Sequence, residues 1–363
     1  MSNPERVNTV DLAQEQPEIV RQELPQRESA PLPLFVAVNK GCDMGCWYCT
    51  ENGENRSNER GRVGSPELLE VLGAAYESGV RTFRFTGGEP TLRRSLGDIM
   101  ISTEKLGDDV RIALTTNGSE LPALMPVLAE LKQPSVFLSV DSYDDITSET
   151  EEQGIKLEKW LSPDLRQVIK ERPSNVQMRM NFVLTAANKD QLPKLIDFAI
   201  EQEIDVKIFE LLLRDYHYVK GKTSQEAFAS QYASVRDLLP ALREKYGETE
   251  GFAGTGGRGM PMFAFKSGKS RIICFDSNAG SHYGEACNDC NFFPCQEGLY
   301  ALTLDTNGAL HPSGCVNINT YANVSKADQA EKIEIFSRMA SMIGQATLRS
   351  DIPAILETIS KKG

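Results

Sequence analysis

The sequence predicts an α/β fold in which parallel strands are joined by helical crossovers. Two observations carry the prediction. Short β-branched or apolar runs recur between residues 34 and 211, and each is followed by a turn and a stretch of helical period. Units in that order pair their strands in parallel through right-handed connections. An open doubly wound sheet and a closed or partial barrel share the pattern, so alternation alone does not choose between them.

Residues 1–31 are rich in Gln, Glu, Pro and Ser without an apolar period, and are read as a flexible N-terminal arm. Order is expected to begin at "PLFVAV". The strand runs are "LFVAV" (34–38), "VRTFRF" (80–85), "VRIALT" (110–115), "SVFLSV" (135–140), "VQMRMNFVL" (176–184) and "DVKIFEL" (205–211). Helices are expected over 65–79, 121–131, 161–172 and 190–203. The first opens with Ser65 as its cap and Pro66 at the first helical position, and closes near Gly79.

A G-x-G-x-x-G match, "GTGGRG" (254–259), follows a helical pattern and precedes a strand-like run. Dinucleotide-binding turns have the opposite order, so this stretch reads as a flexible joint. It divides a unit at 32–253 from a smaller one at 254–363. In the smaller unit "GLYALTLDTNGALHPSGC" alternates apolar residues around Asn307-Gly308, a hairpin signal. Further on, Ile333, Phe336, Met339, Met342 and Ile343 fall at helical spacing, a face expected to pack on the core.

The chain carries 39 Lys plus Arg against 51 Asp plus Glu, a net charge of -12, and no long basic run. That balance argues against nucleic acid or an anionic membrane as partner of the bulk surface. The N-terminus has neither the basic start nor the apolar centre of a secretory signal, so a cytoplasmic protein is expected. Eight cysteines fall in two groups, three at 42–49 and five at 274–315, which favours metal or redox chemistry over a disulfide framework. Cys42, Cys46 and Cys49 form C-x3-C-x2-C directly after the first strand. Structural zinc wants four ligands and no fourth lies nearby. An iron-sulfur cubane on three thiolates leaves one iron for an outside ligand, so the spacing favours iron-sulfur over zinc.

At these residues the chain resembles the radical S-adenosylmethionine (SAM) superfamily, whose signature C-x3-C-x-Φ-C is matched with Tyr48 at Φ. The resemblance implies a [4Fe-4S] cluster on Cys42, Cys46 and Cys49, with SAM chelating the fourth iron and Tyr48 packing beside its adenine. Reductive cleavage of SAM would then give a 5'-deoxyadenosyl radical that takes a hydrogen from substrate. The likeness extends to "FTGGEPTLR" (85–93), where Gly87 and Gly88 would let backbone approach SAM and Glu89 would accept from its methionine ammonium. It continues at "LTTNG", with Thr116 and Asn117, and at "LSVDS", with Ser139, as contacts to SAM. The implied fold is a partial (β/α)6 TIM-like barrel over about residues 32–215, with chemistry at the strand ends.

Within the superfamily the chain is most similar to the GTP 3',8-cyclase branch of molybdenum-cofactor synthesis. "RMNFVLTAANKDQLPKLIDFA" and "DVKIFELL" carry that likeness, which implies Arg179 and Asn181 at polar groups of SAM and Leu212 against its adenine. A second cluster is implied on Cys287, Cys290 and Cys295 of "CNDCNFFPC" and on Cys315, with zinc as the alternative occupant. Cys274 in "RIICFD" is either a buried strand residue or a substitute ligand. The spacing C-x2-C-x4-C-x19-C departs from the cyclase pattern, C-x2-C-x13-C followed by arginines, and resembles twitch or SPASM-type auxiliary domains instead. That departure argues against GTP as substrate. Four thiolates would leave no open iron, which suits electron transfer.

Three functions follow. The first is a radical SAM enzyme acting on a small polar metabolite, reduced by a flavodoxin- or ferredoxin-like partner. The second is a maturase of a ribosomally made peptide, for which the arm before Pro31 is too short to hold a leader-binding core. The third, a metal-stabilised binding protein without chemistry, gives no reason for G-G-E-P to accompany the cysteines.

Overall fold

The computed structural model describes residues 32–49, 62–213, 219, 221–247, 249–253, 261–275, 300–312 and 322–347. All six expected strands form: β1 (Leu34–Ala37), β2 (Thr82–Thr86), β3 (Arg111–Thr116), β4 (Ser135–Val140), β5 (Gln177–Leu184) and β6 (Asp205–Glu210). Each runs parallel to the next. β1 and β6 do not pair with one another. Beyond β1 lies β10 (Leu302–Leu304) and beyond β6 lies β9 (Ser270–Phe275), both parallel, so the wall stays an incomplete barrel.

Helices cross over between the strands: α1 (Ser65–Glu77), α2 (Leu96–Glu104), α3 (Leu121–Glu130), the short α4 (Thr147–Glu152), α5 (Pro163–Lys170) and α6 (Leu192–Glu201). α2 and α4 were not among the expected helices. α4, "TSETEE", has no apolar face to give a period, and α2 shows only a brief one in Leu96, Ile99 and Met100. The cap of α1 also differs from expectation. Gly64 takes the cap position and Ser65 is the first helical residue, because the Ser65 hydroxyl accepts from Arg93 and meets Ser95 at 3.1 Å instead. Gly79 ends α1 at φ 104°, a left-handed conformation that favours glycine.

Burial alternates along the wall. On β5, Met178, Met180, Phe182 and Leu184 are buried against the helical layer, while Arg179, Asn181 and Val183 on the opposite face stay partly accessible. β4 and β6 repeat the alternation. The inward positions of β4, β5 and β6 are thus only partly buried.

The expected hairpin is β10 with β11 (Ala309–Pro312), antiparallel, turning at Gly308 with φ 82°. It extends the barrel sheet at one end. At the other, β7 (Glu250–Ala253) and β8 (Pro261–Ser267) pair antiparallel onto β9, and β12 (Ala322–Asn323) follows β11. Strands on both sides of the 254–259 stretch therefore belong to one sheet. That stretch, like residues 1–31, lies outside the described residues. Two further helices, α7 (Ser224–Gln231) and α8 (Leu239–Tyr246), precede β7. α9 (Gln329–Thr347) lies against α1 and buries Phe336, Met339 and Ile343 as its spacing predicts, with Ile333 half-buried. Among the described residues no helix is long and apolar enough to cross a membrane.

Candidate active site

The loops that carry the motifs leave the same end of the wall. The cysteine loop follows β1, G-G-E-P follows β2, Thr116-Asn117 closes β3, and Asp141 follows β4. Backbone contacts seat the first loop on the second: Gly88 N–H donates to Asn39 O at 3.0 Å, Glu89 N–H to Gly41 O at 2.8 Å, and Asn39 Nδ2 to Glu89 O at 2.8 Å. The approach is close enough to require glycine. A Cβ on Gly88 would lie 2.3 Å from Gly41 O and 2.4 Å from Lys40 O, and one on Gly87, at φ 143°, would lie 2.4 Å from Asn39 O. The glycine pair thus clears room for the cysteine loop itself, a role the motif alone did not disclose.

Glu89 is 1% exposed and joins three strand ends. Its Oε1 accepts from Thr91 N (3.1 Å), Thr91 Oγ1 (2.6 Å) and Thr116 Oγ1 (2.6 Å), and its Oε2 from Asn117 N (2.7 Å). Burial pushes the carboxyl up from its ordinary value, and these four donors oppose the rise. Oε2, with a single donor, keeps acceptor capacity. Arg93, also buried, ties Val38 O (3.0 Å) and Val63 O (3.3 Å) to the start of α1.

Cys42 and Cys49 are exposed and Cys46 is buried, and none is in a disulfide. Cys49 N–H donates to Cys46 O at 3.0 Å, and Asn117 Nδ2 lies 3.9 Å from Cys42 Sγ. Burial pushes the Cys46 thiol up to about 12, with Asp141, Cys49 and Glu158 adding and Lys159 opposing. Burial raises Cys42 as well. Both shifts favour the neutral thiol over the thiolate. Among the described residues no three Cys, His, Asp or Glu side chains already converge as a closed metal cage. Three thiols on one loop nevertheless suit a cluster with one iron left for a non-protein ligand.

Beneath the loop, Tyr48 OH donates to Asp141 Oδ1, and Lys159 Nζ donates to Tyr48 OH at 2.9 Å while lying 4.9 Å from the ring centroid. Tyr48 meets Trp47 edge-on at 5.8 Å. The expected aromatic therefore stands by the cysteines, with its hydroxyl engaged in a charged pair that the sequence did not suggest.

The lumen face adds a second unforeseen group. Arg84 stacks over Phe35 (4.8 Å) and Phe137 (4.5 Å) and donates to Thr115 Oγ1 at 2.6 Å. Arg179 covers Phe137 at 4.3 Å, and Lys207 covers Phe209 at 4.5 Å. Burial, with Arg179 and Arg84 nearby, pushes the Lys207 ammonium down to about 7, and burial likewise lowers Arg179 to about 10. Charged residues at the inward positions of otherwise apolar strands, in "TFRFT" and "DVKIFE", were the available signal. Register places Ser139, Asn181 and Lys207 side by side on β4, β5 and β6. Asn181 Oδ1, Arg179 Nε and Asn39 Oδ1 are buried without a hydrogen-bond partner among the described residues. Buried polar atoms left open in this way fit a polar ligand at the strand ends.

Leu212 follows β6 and packs half-buried on the core. Cys274 is buried on β9 within the main core, which is the strand reading of that residue. Cys287, Cys290, Cys295 and Cys315 lie outside the described residues. A groove of about 260 Å³ lined by Arg94, Leu96, Glu120 and Leu124 involves residues of α2 and α3 and none of the cysteines.

Residues 36–191 match the family model described as the Radical SAM superfamily. The chain is 32% identical over 215 residues to a Sulfurisphaera tokodaii protein named "Probable GTP 3',8-cyclase", covering 58% of this chain and 64% of that one. It is 27% identical over 260 residues to the GTP 3',8-cyclase of Paracoccus denitrificans, covering 70% of this chain and 72% of that one. The chain thus spans somewhat under two thirds of the first of these relatives. Among solved structures, SuiB of Streptococcus suis bound to S-adenosylmethionine superposes with a TM-score of 0.55 at 20% identity, over 83% of this chain and 64% of that one, a likeness of fold.

Proposed function

We propose, from the match of residues 36–191 to the Radical SAM superfamily, that this enzyme abstracts hydrogen from a small polar metabolite bearing an anionic group. One observation carries the substrate class: the inner face of the wall presents Arg84, Arg179 and Lys207, each set over an aromatic ring. Cations stacked on rings in a partly desolvated cavity gain by meeting an anion.

Cys42, Cys46 and Cys49 would hold the [4Fe-4S] cluster, and Glu89 Oε2, Ser139, Arg179 and Asn181 would face the polar groups of SAM, with Leu212 and Tyr48 at its adenine. Cluster and SAM together supply one-electron reductive cleavage to a 5'-deoxyadenosyl radical. The protein's own part is placement. Glu89 ties the ends of β2 and β3, the glycine pair seats the cysteine loop, and Arg84 and Lys207 hold substrate. Cys287, Cys290, Cys295 and Cys315 would hold an auxiliary cluster for electron transfer, fed by a flavodoxin- or ferredoxin-like reductant. The departure of their spacing from the cyclase pattern supports a substrate other than GTP.

Anaerobic reconstitution tests the reading. About eight irons per chain, for two cubanes, and 5'-deoxyadenosine formed with SAM and reductant are expected. Zinc at the N-terminal cysteines, or no SAM cleavage, refutes it.

A further inference from the structure

Asp141 and Lys159 take no part in the proposed placement of SAM or substrate, yet both meet the Tyr48 hydroxyl. Asp141 is 1% exposed and Oδ2 lies 4.0 Å from Cys46 Sγ. Its backbone is held from two sides: Asp141 N–H donates to Lys159 O at 2.5 Å, and Asn188 Nδ2 donates to Asp141 O at 2.9 Å. A parallel bridge of Ser142 with Trp160 lays the lysine segment along the end of β4. A small apolar cluster that includes Trp47, Ile155, Leu157 and Leu211 packs around this corner. Charges here act through little water, so one uncompensated charge weighs heavily.

We propose that Lys159 is a positioning residue whose ammonium offsets Asp141 beside Cys46, so that this pair sets how readily the N-terminal cluster accepts an electron. The inference rests on the reading that Cys42, Cys46 and Cys49 hold that cluster. One-electron reduction adds a negative charge to a group already ligated by thiolates. A carboxylate 4.0 Å from one of those sulfurs opposes the addition, and a lysine bonded to the same tyrosine hydroxyl favours it. Charge and hydrogen bonding near the sulfurs are the usual determinants of such potentials.

The test is a dithionite titration of reconstituted full-length protein followed by electron paramagnetic resonance. The N-terminal signal is assigned by its response to SAM and its loss in Cys46→Ser. Lys159→Met is expected to shift the reduction equilibrium at least tenfold toward the oxidised cluster, about 59 mV for a one-electron couple. Asp141→Asn is expected to shift it the opposite way, and Lys159→Arg to restore the wild-type value. A general loosening of the loop would not reverse sign between the two variants. Unchanged potentials, or shifts in one direction for both, overturn the proposal; should Lys159→Met take up no iron, the sign in Asp141→Asn decides alone. A wild-type protein with full iron content but no SAM-responsive signal overturns the cluster reading and this inference with it.

Discussion

Gly88→Ala places one methyl group where the cysteine loop crosses the G-G-E-P turn. Its Cβ would lie 2.3 Å from Gly41 O, and that carbonyl must withdraw by about 0.7 Å to reach 3.0 Å, the closest approach real Cβ atoms show. Lys40 O, at 2.4 Å, blocks the same movement. The backbone bonds Gly88 N–Asn39 O and Glu89 N–Gly41 O stretch together. Losing two backbone bonds of about 1 kcal/mol each, with some strain, comes to about 3 kcal/mol, a fall in Tm of roughly 6–12 °C for a unit of this size. Gly41→Ala is the matched control. Its Cβ meets nothing within 4 Å among the described residues, so the same chemical change should be neutral or stabilise by about 0.4–1 kcal/mol through the unfolded chain. Thermal and urea unfolding of both variants before reconstitution measure the difference without any cofactor. Equal stability of Gly88→Ala and Gly41→Ala would refute the reasoning that backbone clearance, and not ligand approach alone, explains the glycine.

Four further outcomes are expected. Glu89→Gln sets amide hydrogens among donors, leaves one of four bonds unmade and lowers stability by about 1–3 kcal/mol, read by the same melts; an unchanged Tm counts against Glu89 as the tie between β2 and β3. Lys207 is depressed from 10.5 to about 7, so the folded chain sheds a proton that the unfolded chain keeps: stability rises from pH 7 toward 10.5, and the cost is fully present below about 7. Binding of sulfate, a probe that does not titrate in this range, should weaken as pH rises through about 7 and lose that step in Lys207→Met, by calorimetry at a series of pH values. Replacing Cys287 and Cys315 together by Ser should lower reconstituted iron from about eight to about four per chain while SAM cleavage persists; retention of all the iron would remove these residues from the ligand set.

The sequence by itself determined the order of the six barrel strands and of α1, α3, α5 and α6 between them, since inward and outward apolar periods are local properties of each segment. It also determined the cysteine loop, G-G-E-P and the Asn307-Gly308 turn, where spacing or backbone conformation restricts the residue types that fit. Ser65 shows where local reading stops: its hydroxyl serves Arg93 and Ser95, which packing brings from residues about thirty positions away, so Gly64 takes the cap. The same holds for Arg84, Arg179 and Lys207. Each looks like a lone charge in an apolar run, and only the register of β2, β5 and β6 sets them around one lumen. Asp141 and Lys159 lie 93 and 111 residues from Tyr48, yet they meet at its hydroxyl. Side-chain periodicity reports which face of an element is buried, but which charges share that burial depends on long-range pairing, and that the tertiary structure alone decided.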